Sequence, residues 1–191
     1  MAYGTLAEFK AYVNELSGGA QSAFTAAQDA VVQQFLEQAQ AEIERETGRR
    51  FEAASGTRTY AEDDIDGQTL RLDEELLPLT GLTDGAGAAI APELAILEPR
   101  NAATKSRITL KPGTRWNETS GDVSVSGVWG HCQTPTPDVE RVLYRLAWFY
   151  WQKRRSTGET QLIDGRTGSV ASEYPADIRK WLSENKKRMV R

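Results

Sequence analysis

The apolar residues in the first 48 positions of the chain repeat every three to four residues. Thr5 and Glu8 have the spacing of a capping box, which opens a short amphipathic helix. A second pair with this spacing, Thr25 and Gln28, opens a longer amphipathic segment that ends at Gly48. The pattern predicts a helical hairpin with helices over residues 5–16 and 26–47.

Between residues 56 and 130 the apolar period shortens to two, and turn residues divide the segment into short runs. The dipeptides Asp66-Gly67 and Ser120-Gly121 are typical of tight turns between strands. The segment is therefore predicted to be rich in β-strands. About five strands are expected, over residues 57–60, 69–72, 94–97, 107–110 and 122–128.

Helical periodicity returns at Thr136, an N-cap residue type that is followed by Pro137 and Asp138. Two further helices are predicted, over residues 137–155 and 176–188. The expected fold class is α+β, a bundle of about four helices with a β-rich insertion of about five strands. We interpret the chain as one domain whose helical parts pack together, with an N-terminal helical hairpin (residues 1–55), a β-rich insertion (56–130), and C-terminal helices with a basic tail (131–191).

Composition describes an ordinary globular chain of 191 residues, 39% of them hydrophobic. Its 23 basic and 27 acidic residues give a net charge of −4, which argues against a protein built mainly to coat nucleic acid. The charge is unevenly distributed, because residues 1–136 have a net charge of −9 and residues 137–191 one of +5. Such a dipolar chain suits head-to-tail contacts between copies, or docking of one end on an acidic partner. The alternative is that the charges belong to solvated faces.

Several classes of protein are disfavoured by what the chain lacks. One cysteine and one histidine exclude an internal disulfide and a Cys/His zinc set. The N-terminal segment lacks the pattern of a secretory signal, and the longest apolar run, residues 147–151, is too short to span a bilayer. We therefore expect a chain made in the cytoplasm, with no membrane partner and no cofactor.

Two places carry residues of the kind that enzymes use. The acidic run from Glu62 to Asp66 fits the frame of an EF-hand loop only in part, since two positions carry the wrong acid and the flanks are strand-like. The alternative interpretation is a hairpin turn with a solvated acidic tip. His131 and Cys132 are adjacent just after a predicted strand, where neighbouring side chains point to opposite faces, so thiolate activation is disfavoured. We expect no enzymatic activity.

Four consecutive aromatic residues lie in the third predicted helix, at positions 148–151. At 3.6 residues per turn they point in different directions. Phe149 and Tyr150 continue the apolar stripe of the helix, whereas Trp148 and Trp151 lie on a neighbouring face. That face is expected to pack on the β-rich insertion or on another subunit.

The order of these elements resembles that of the head–tail connector family, also called adaptor or head-completion proteins, of long-tailed double-stranded DNA phages and gene-transfer particles. Its most specific parts are Gly-Arg-Arg-Phe at residues 48–51, and Trp129-Gly130 followed by the Pro-capped helix. The resemblance covers nearly the whole chain, through the segments MAYGTLAEFKAYV, AEIERETGRRFEA, TRTY, LRLDEELLPLTGLT, AILEPRNAA, DVSVSGVWGHCQTPTPDVERVLYRLAWFYWQKRR and PADIRKWLSENKKR.

The resemblance implies a structural subunit of the virion neck. Twelve copies would form a ring beneath the portal, extend the DNA channel without sequence-specific DNA binding, and present a face to a tail-side neck protein. Trp148 and Trp151 would lie at the subunit interface. The C-terminal end, expected to be loosely ordered in the free subunit, would contact the portal through Trp181, Lys186, Lys187, Arg188 and Arg191.

Two other functions remain as alternatives. An oligomeric DNA-packaging protein of the small-terminase type would need a helix-turn-helix and a basic N-terminal region, whereas residues 1–136 are acidic. A metal-dependent hydrolase that uses the acidic residues between 62 and 66 would need further ligands from elsewhere in the chain.

Overall fold

The amphipathic segments found in the sequence form four helices in the computed structural model, which describes residues 3–18, 24–160 and 174–187. They are α1 (Leu6–Leu16), α2 (Ala26–Thr47), α3 (Pro137–Thr160) and α4 (Ala176–Glu184). A seven-stranded antiparallel sheet lies between α2 and α3 in the sequence, so the predicted α+β fold class is confirmed. The chain divides into two compact units, a helical unit (residues 1–48 and 135–191) and a sheet unit (residues 49–134).

Local capping begins the helices of the helical unit where the sequence predicts. The Thr5 hydroxyl accepts a hydrogen bond from the Glu8 amide at 3.2 Å, and the Glu8 carboxylate accepts one from the Thr5 amide at 2.8 Å. At the other end of the hairpin, α2 ends at Gly48, whose φ of 64° is the left-handed conformation that glycine adopts without strain.

Helices α2 and α3 are the common packing partners in the helical unit, since each of them contacts the other three helices. The apolar stripe of α2 is fully removed from solvent at Val32, Leu36 and Ile43. The buried residues that face inward from the other helices include Phe9, Val13, Leu143, Leu146, Ile178 and Leu182. All four helices therefore belong to one compact unit and pack against one another there.

The sheet unit contains the five expected strands and two that the sequence did not indicate. The strands are β1 (Ala54–Tyr60), β2 (Ile65–Asp66), β3 (Thr69–Thr83), β4 (Ala89–Ile90), β5 (Ala95–Glu98), β6 (Lys105–Leu110) and β7 (Val123–Trp129). Their order is β1-β7-β3-β6-β5, and β2 and β4 pair with the two ends of β3. With two residues each, β2 and β4 are too short to show a hydrophobic period.

Strand β3 is 15 residues long, whereas the sequence predicted only residues 69–72. It pairs first with β6 and then with β7, and its register shifts between Arg71 and Leu76. This irregularity takes three consecutive acidic residues, 73–75, out of the alternation that identifies a strand. The register with β7 also shifts on both sides of Leu79, which pairs with Gly127. There β3 lies so close to Gly127 that a Cβ at this glycine would be 2.5 Å from a Leu76 methyl carbon.

The core of the sheet unit lies on one face of the sheet and includes two buried tryptophans. The indole N–H groups of Trp116 and Trp129 donate hydrogen bonds to the backbone carbonyls of Gln68 and Gly56, at 3.0 and 2.9 Å. Each buried indole therefore keeps a partner for its one polar atom. The other core residues include Leu70, Leu76, Ile108, Leu110, Val123 and Val125.

A buried carboxylate organises the turn between β3 and β4. Asp84, only 5% exposed, accepts hydrogen bonds from the amides of Ala86 and Ala88 and from the Asn117 side chain, at 3.0, 2.7 and 2.5 Å. Burial acts to raise the pKa of Asp84, but these three hydrogen bonds outweigh it and leave the pKa below its ordinary value.

We predict that Asp84→Ala lowers the free energy of unfolding by about 1–3 kcal/mol at neutral pH, because it removes the charged acceptor of three hydrogen bonds that hold the turn. Since the folded pKa is depressed, the Asp84 contribution is present above the ordinary Asp pKa and is lost as the pH falls through the lower, folded value. Chemical denaturation across acidic pH should therefore show the gap between wild type and variant closing. Asp122→Ala, at an exposed position nearby, is the control. Equal losses in the two variants would contradict the prediction.

Candidate functional site

The C-terminal residues expected to contact a partner follow a helix that ends earlier than predicted, at Glu184 instead of residue 188. Ile178 and Leu182 are buried, Trp181 is half-buried, and Lys186 is exposed. Lys187 is half-buried, and its amide donates a 2.7 Å hydrogen bond to the Thr47 carbonyl at the end of α2. The residues up to Lys187 are therefore attached to the helical unit, contrary to the expectation of a loosely ordered tail. Arg188 and Arg191 lie outside the described residues.

The start of α4 is also attached to the helical unit. The Tyr174 hydroxyl donates a hydrogen bond to the Glu42 carboxylate, and the Tyr174 ring packs edge-on against Phe149, with ring centroids 6.4 Å apart. Arg145 of α3 pairs with Asp177 at 2.6 Å. Contacts with α2 and α3 therefore hold the start of α4, and the bond from Lys187 to Thr47 holds the residues just after its end.

Glu42 lies in an environment that disfavours its charge. Burial raises the pKa of Glu42, Arg45 lowers it in part, and Glu46 raises it further. Burial and the neighbouring Glu42 raise the pKa of Tyr150 to about 12. Both pKa shifts arise where α2 and α3 pack against each other.

The two tryptophans assigned to a subunit interface lie in different environments. Trp151 is 8% exposed and packs edge-on against Phe24 and Phe35, at centroid distances of 5.4 and 6.5 Å. Trp151 is thus buried by other residues of the helical unit. The sequence pattern indicated only the β-rich insertion or another subunit as its partner. Trp148 is half-buried and shares its side of α3 with exposed Arg145 and Gln152. Of the two, Trp148 has the accessible surface that a subunit contact would use.

The acidic run at residues 62–66 forms the exposed corner of a hairpin. Residues Glu62–Asp64 make a short 3-10 turn, and Asp66 lies in β2 and pairs with Arg71 at 3.4 Å. Gly67, with φ of 63°, supplies the left-handed residue of the turn into β3. Within the described part of the chain, no group of three or more His, Cys, Asp or Glu residues could hold a metal ion. The predicted hairpin turn is confirmed.

His131 and Cys132 point to different partners. The Cys132 thiol donates a hydrogen bond to the Phe51 carbonyl at 2.9 Å, and His131 Nδ1 lies 2.9 Å from a Glu75 carboxylate oxygen. Burial raises the pKa of the Cys132 thiol, and the charge of Glu75 raises it further. Reactive cysteines need the opposite environment, one that lowers the pKa.

Sequence reasoning missed the polar cluster around buried Glu75. The Arg49 guanidinium lies 3.7 Å from one Glu75 carboxylate oxygen. It also lies within hydrogen-bond distance, 2.9 Å, of the His131 ring nitrogen Nε2. The two backbone bonds beside this cluster run from the His131 amide to the Arg50 carbonyl at 2.6 Å and from the Gly130 amide to the Glu75 carbonyl at 2.8 Å. Arg49, Glu75 and His131 are at least 26 positions apart in the sequence, so no local pattern indicates the cluster. Its arrangement fixes the two ends of the sheet unit.

No helix among the described residues is long and apolar enough to cross a membrane. The sequence-predicted site residues that the structure describes lie in the helical unit, on α3 and in and just after α4.

No family model matches the chain, and no curated protein matches it. Solved structures of gene transfer agent (GTA) particles do contain similar chains. Over 98% of its length the chain matches 91% of a chain in the neck of an empty GTA particle computed with C6 symmetry, with a TM-score of 0.67 and 19% identity. It matches a chain of the native GTA virion with the same coverage, a TM-score of 0.65 and 21% identity.

A third match is to a chain in the neck of a native GTA particle computed with C12 symmetry. It covers 97% of this chain and 89% of that one, with a TM-score of 0.64 and 18% identity. At these identities the likeness establishes a shared fold. The chain therefore has, over almost its whole length, the fold of chains found in GTA particles and their necks.

Proposed function

We propose that the chain is a structural head–tail connector subunit in the neck of a tailed phage or phage-like particle. The observation that carries the proposal is the shared fold over 97–98% of the chain with chains of GTA particles and their necks. The order of motifs in the sequence supports the same function independently. Cys132, the only cysteine, has an environment opposed to nucleophilic chemistry, which fits a structural role.

The proposed assembly is a twelve-fold homo-oligomeric ring beneath the portal. Its support is that two of the similar chains come from necks computed with C6 and C12 symmetry. We assign the subunit interface to Trp148, with Trp151 contributing only the 8% of its surface that is exposed. The sheet unit has 9 basic and 13 acidic residues, so its net charge of −4 suits a channel wall along which double-stranded DNA slides.

The proposed portal contact is the basic end of α4, formed by Trp181, Lys186, Lys187, Arg188 and Arg191. Lys186 is exposed, and the attachment of Lys187 to α2 holds the chain in place just before the last two arginines. A positively charged end of this kind would gain orientation and association rate on an acidic portal surface. The alternatives are contact with DNA in the channel and a solvated helix end.

We predict that the chain forms a ring in the neck of particles that contain it. Cryo-EM of particles carrying a tagged copy, with symmetry imposed and then relaxed, should show density for the tag between portal and tail. Particles made without the chain should have DNA-containing heads but no attached tails. Absence of the chain from mature particles, together with DNA binding by the purified protein, would instead support the small-terminase alternative.

We also predict that removing residues 188–191 together with Lys186→Ala weakens binding to DNA-free portal rings by about 10- to 100-fold, because three positive charges are lost. This variant keeps the Lys187 contact with Thr47, so the fold is expected to persist. Lys111→Ala, which removes an exposed charge from the sheet unit, is the control. Undiminished binding in 150 mM salt would rule out the portal contact, and a loss seen only with DNA present would favour the DNA alternative.

A further inference from the structure

The helical unit consists of two chain segments with opposite charge. Residues 1–48 have 2 basic and 7 acidic residues, a net charge of −5. Residues 135–191 have 12 basic and 7 acidic residues, a net charge of +5. The helical unit is therefore neutral as a whole but has an acidic part, which contains α1 and α2, and a basic part, which contains α3 and α4. Such a distribution attracts a second copy when the two parts meet.

The basic part has one side of α3 turned outward. Positions 141, 145, 148 and 152 are spaced by four, three and four residues, so they lie on one side of the helix. We call this the tryptophan face: Arg141, Arg145, Trp148 and Gln152. Trp148 is half-buried and the other three are exposed, whereas Leu143 and Leu146 are buried in the core.

The arginines of the tryptophan face already pair within the chain, but weakly. Arg141 is 3.1 Å from Asp138 and Arg145 is 2.6 Å from Asp177, and all four side chains are between 43% and 69% exposed. Exposed ion pairs contribute only about 0–1 kcal/mol, so a partner with its own carboxylate can compete for these guanidinium groups.

The acidic part has a matching outward side on α2. We call it the α2 face: Ala27, Ala30, Gln34, Glu37, Gln38 and Ala41. All six residues are exposed, and they lie opposite the stripe that α2 buries in the core. Glu37, which accepts a 3.0 Å hydrogen bond from Gln33, is the charged group of this face.

We propose that the tryptophan face of one copy packs on the α2 face of the next copy, which deepens the proposed ring function and rests on it. The opposite charges of the two parts single out a second copy as the occupant. The short side chains beside Glu37 let the Trp148 ring approach the helix, and Glu37 offers a carboxylate to Arg141 or Arg145. Because the two faces are different surfaces of one chain, the contact is head-to-tail and repeats by rotation until a ring closes.

Two charge-reversal variants test this pairing. The first, Arg141→Glu with Gln152→Glu, makes the tryptophan face negative and leaves the pair between Arg145 and Asp177 intact. The second, Glu37→Lys with Gln38→Lys, makes the α2 face positive. Each places like charges across every contact of the ring, so each by itself should reduce the copies per particle neck more than about tenfold relative to wild type.

The two variants produced together should restore the ring. In a ring with an even number of copies they alternate, and each contact then joins faces of opposite charge. All four substitutions in a single chain should restore it as well. The matched controls, Lys111→Glu and Glu93→Lys, make the same kinds of charge change at exposed positions of the sheet unit and should keep wild-type occupancy.

The measurement is the number of copies per neck in particles from a strain whose only source of the chain is the variant. Circular dichroism and thermal unfolding of each purified variant verify the fold. Wild-type occupancy by either variant alone, or no restoration by folded variants produced together, would overturn the pairing while leaving the neck function intact. Absence of the wild-type chain itself from necks would overturn the proposed function and this inference with it.

Discussion

An inserted sheet unit requires that the two ends of the insertion lie side by side, and this constraint governs the structure. Helices α2 and α3, which flank the insertion in sequence, pack against each other in the helical unit. The sheet unit meets the requirement at its own ends, where the His131 amide bonds to the Arg50 carbonyl and the Ala53 amide to the Gln133 carbonyl. Buried Glu75 joins Arg49 to His131 beside these bonds.

Burying the Glu75 carboxylate costs free energy, so this residue requires the partners that Arg49 and His131 supply. A buried carboxylate that loses its cationic partner is strongly destabilising, since the charge stays desolvated without compensation. Glu75 reaches the cluster because the irregular part of β3 turns it away from the regular alternation of the strand. The bulge therefore extends β3 from β6 to β7 and also delivers the carboxylate that holds the ends of the insertion.

The proposed function depends on repeated weak contacts between outward helix faces. Exposed charges such as Arg141, Glu37 and Lys186 contribute little one at a time, because solvent screens them. The proposed ring would multiply each contact by the number of copies, and its head-to-tail symmetry would use the opposite charges of the two parts of the helical unit. The same fold at 18–21% identity shows that most side chains can differ while the fold is kept.

The sequence by itself determined the helices, the five longer strands and the α+β class. Caps such as Thr5 with Glu8, and apolar periods of 3.6 and 2, depend on residues only a few positions apart. Tertiary structure alone decided the length of β3, the cluster around Glu75 and the burial of Trp151 by Phe24 and Phe35. Each of these features depends on partners more than 20 residues away in the sequence. Whether an apolar side chain is exposed or buried depends on which distant element packs over it.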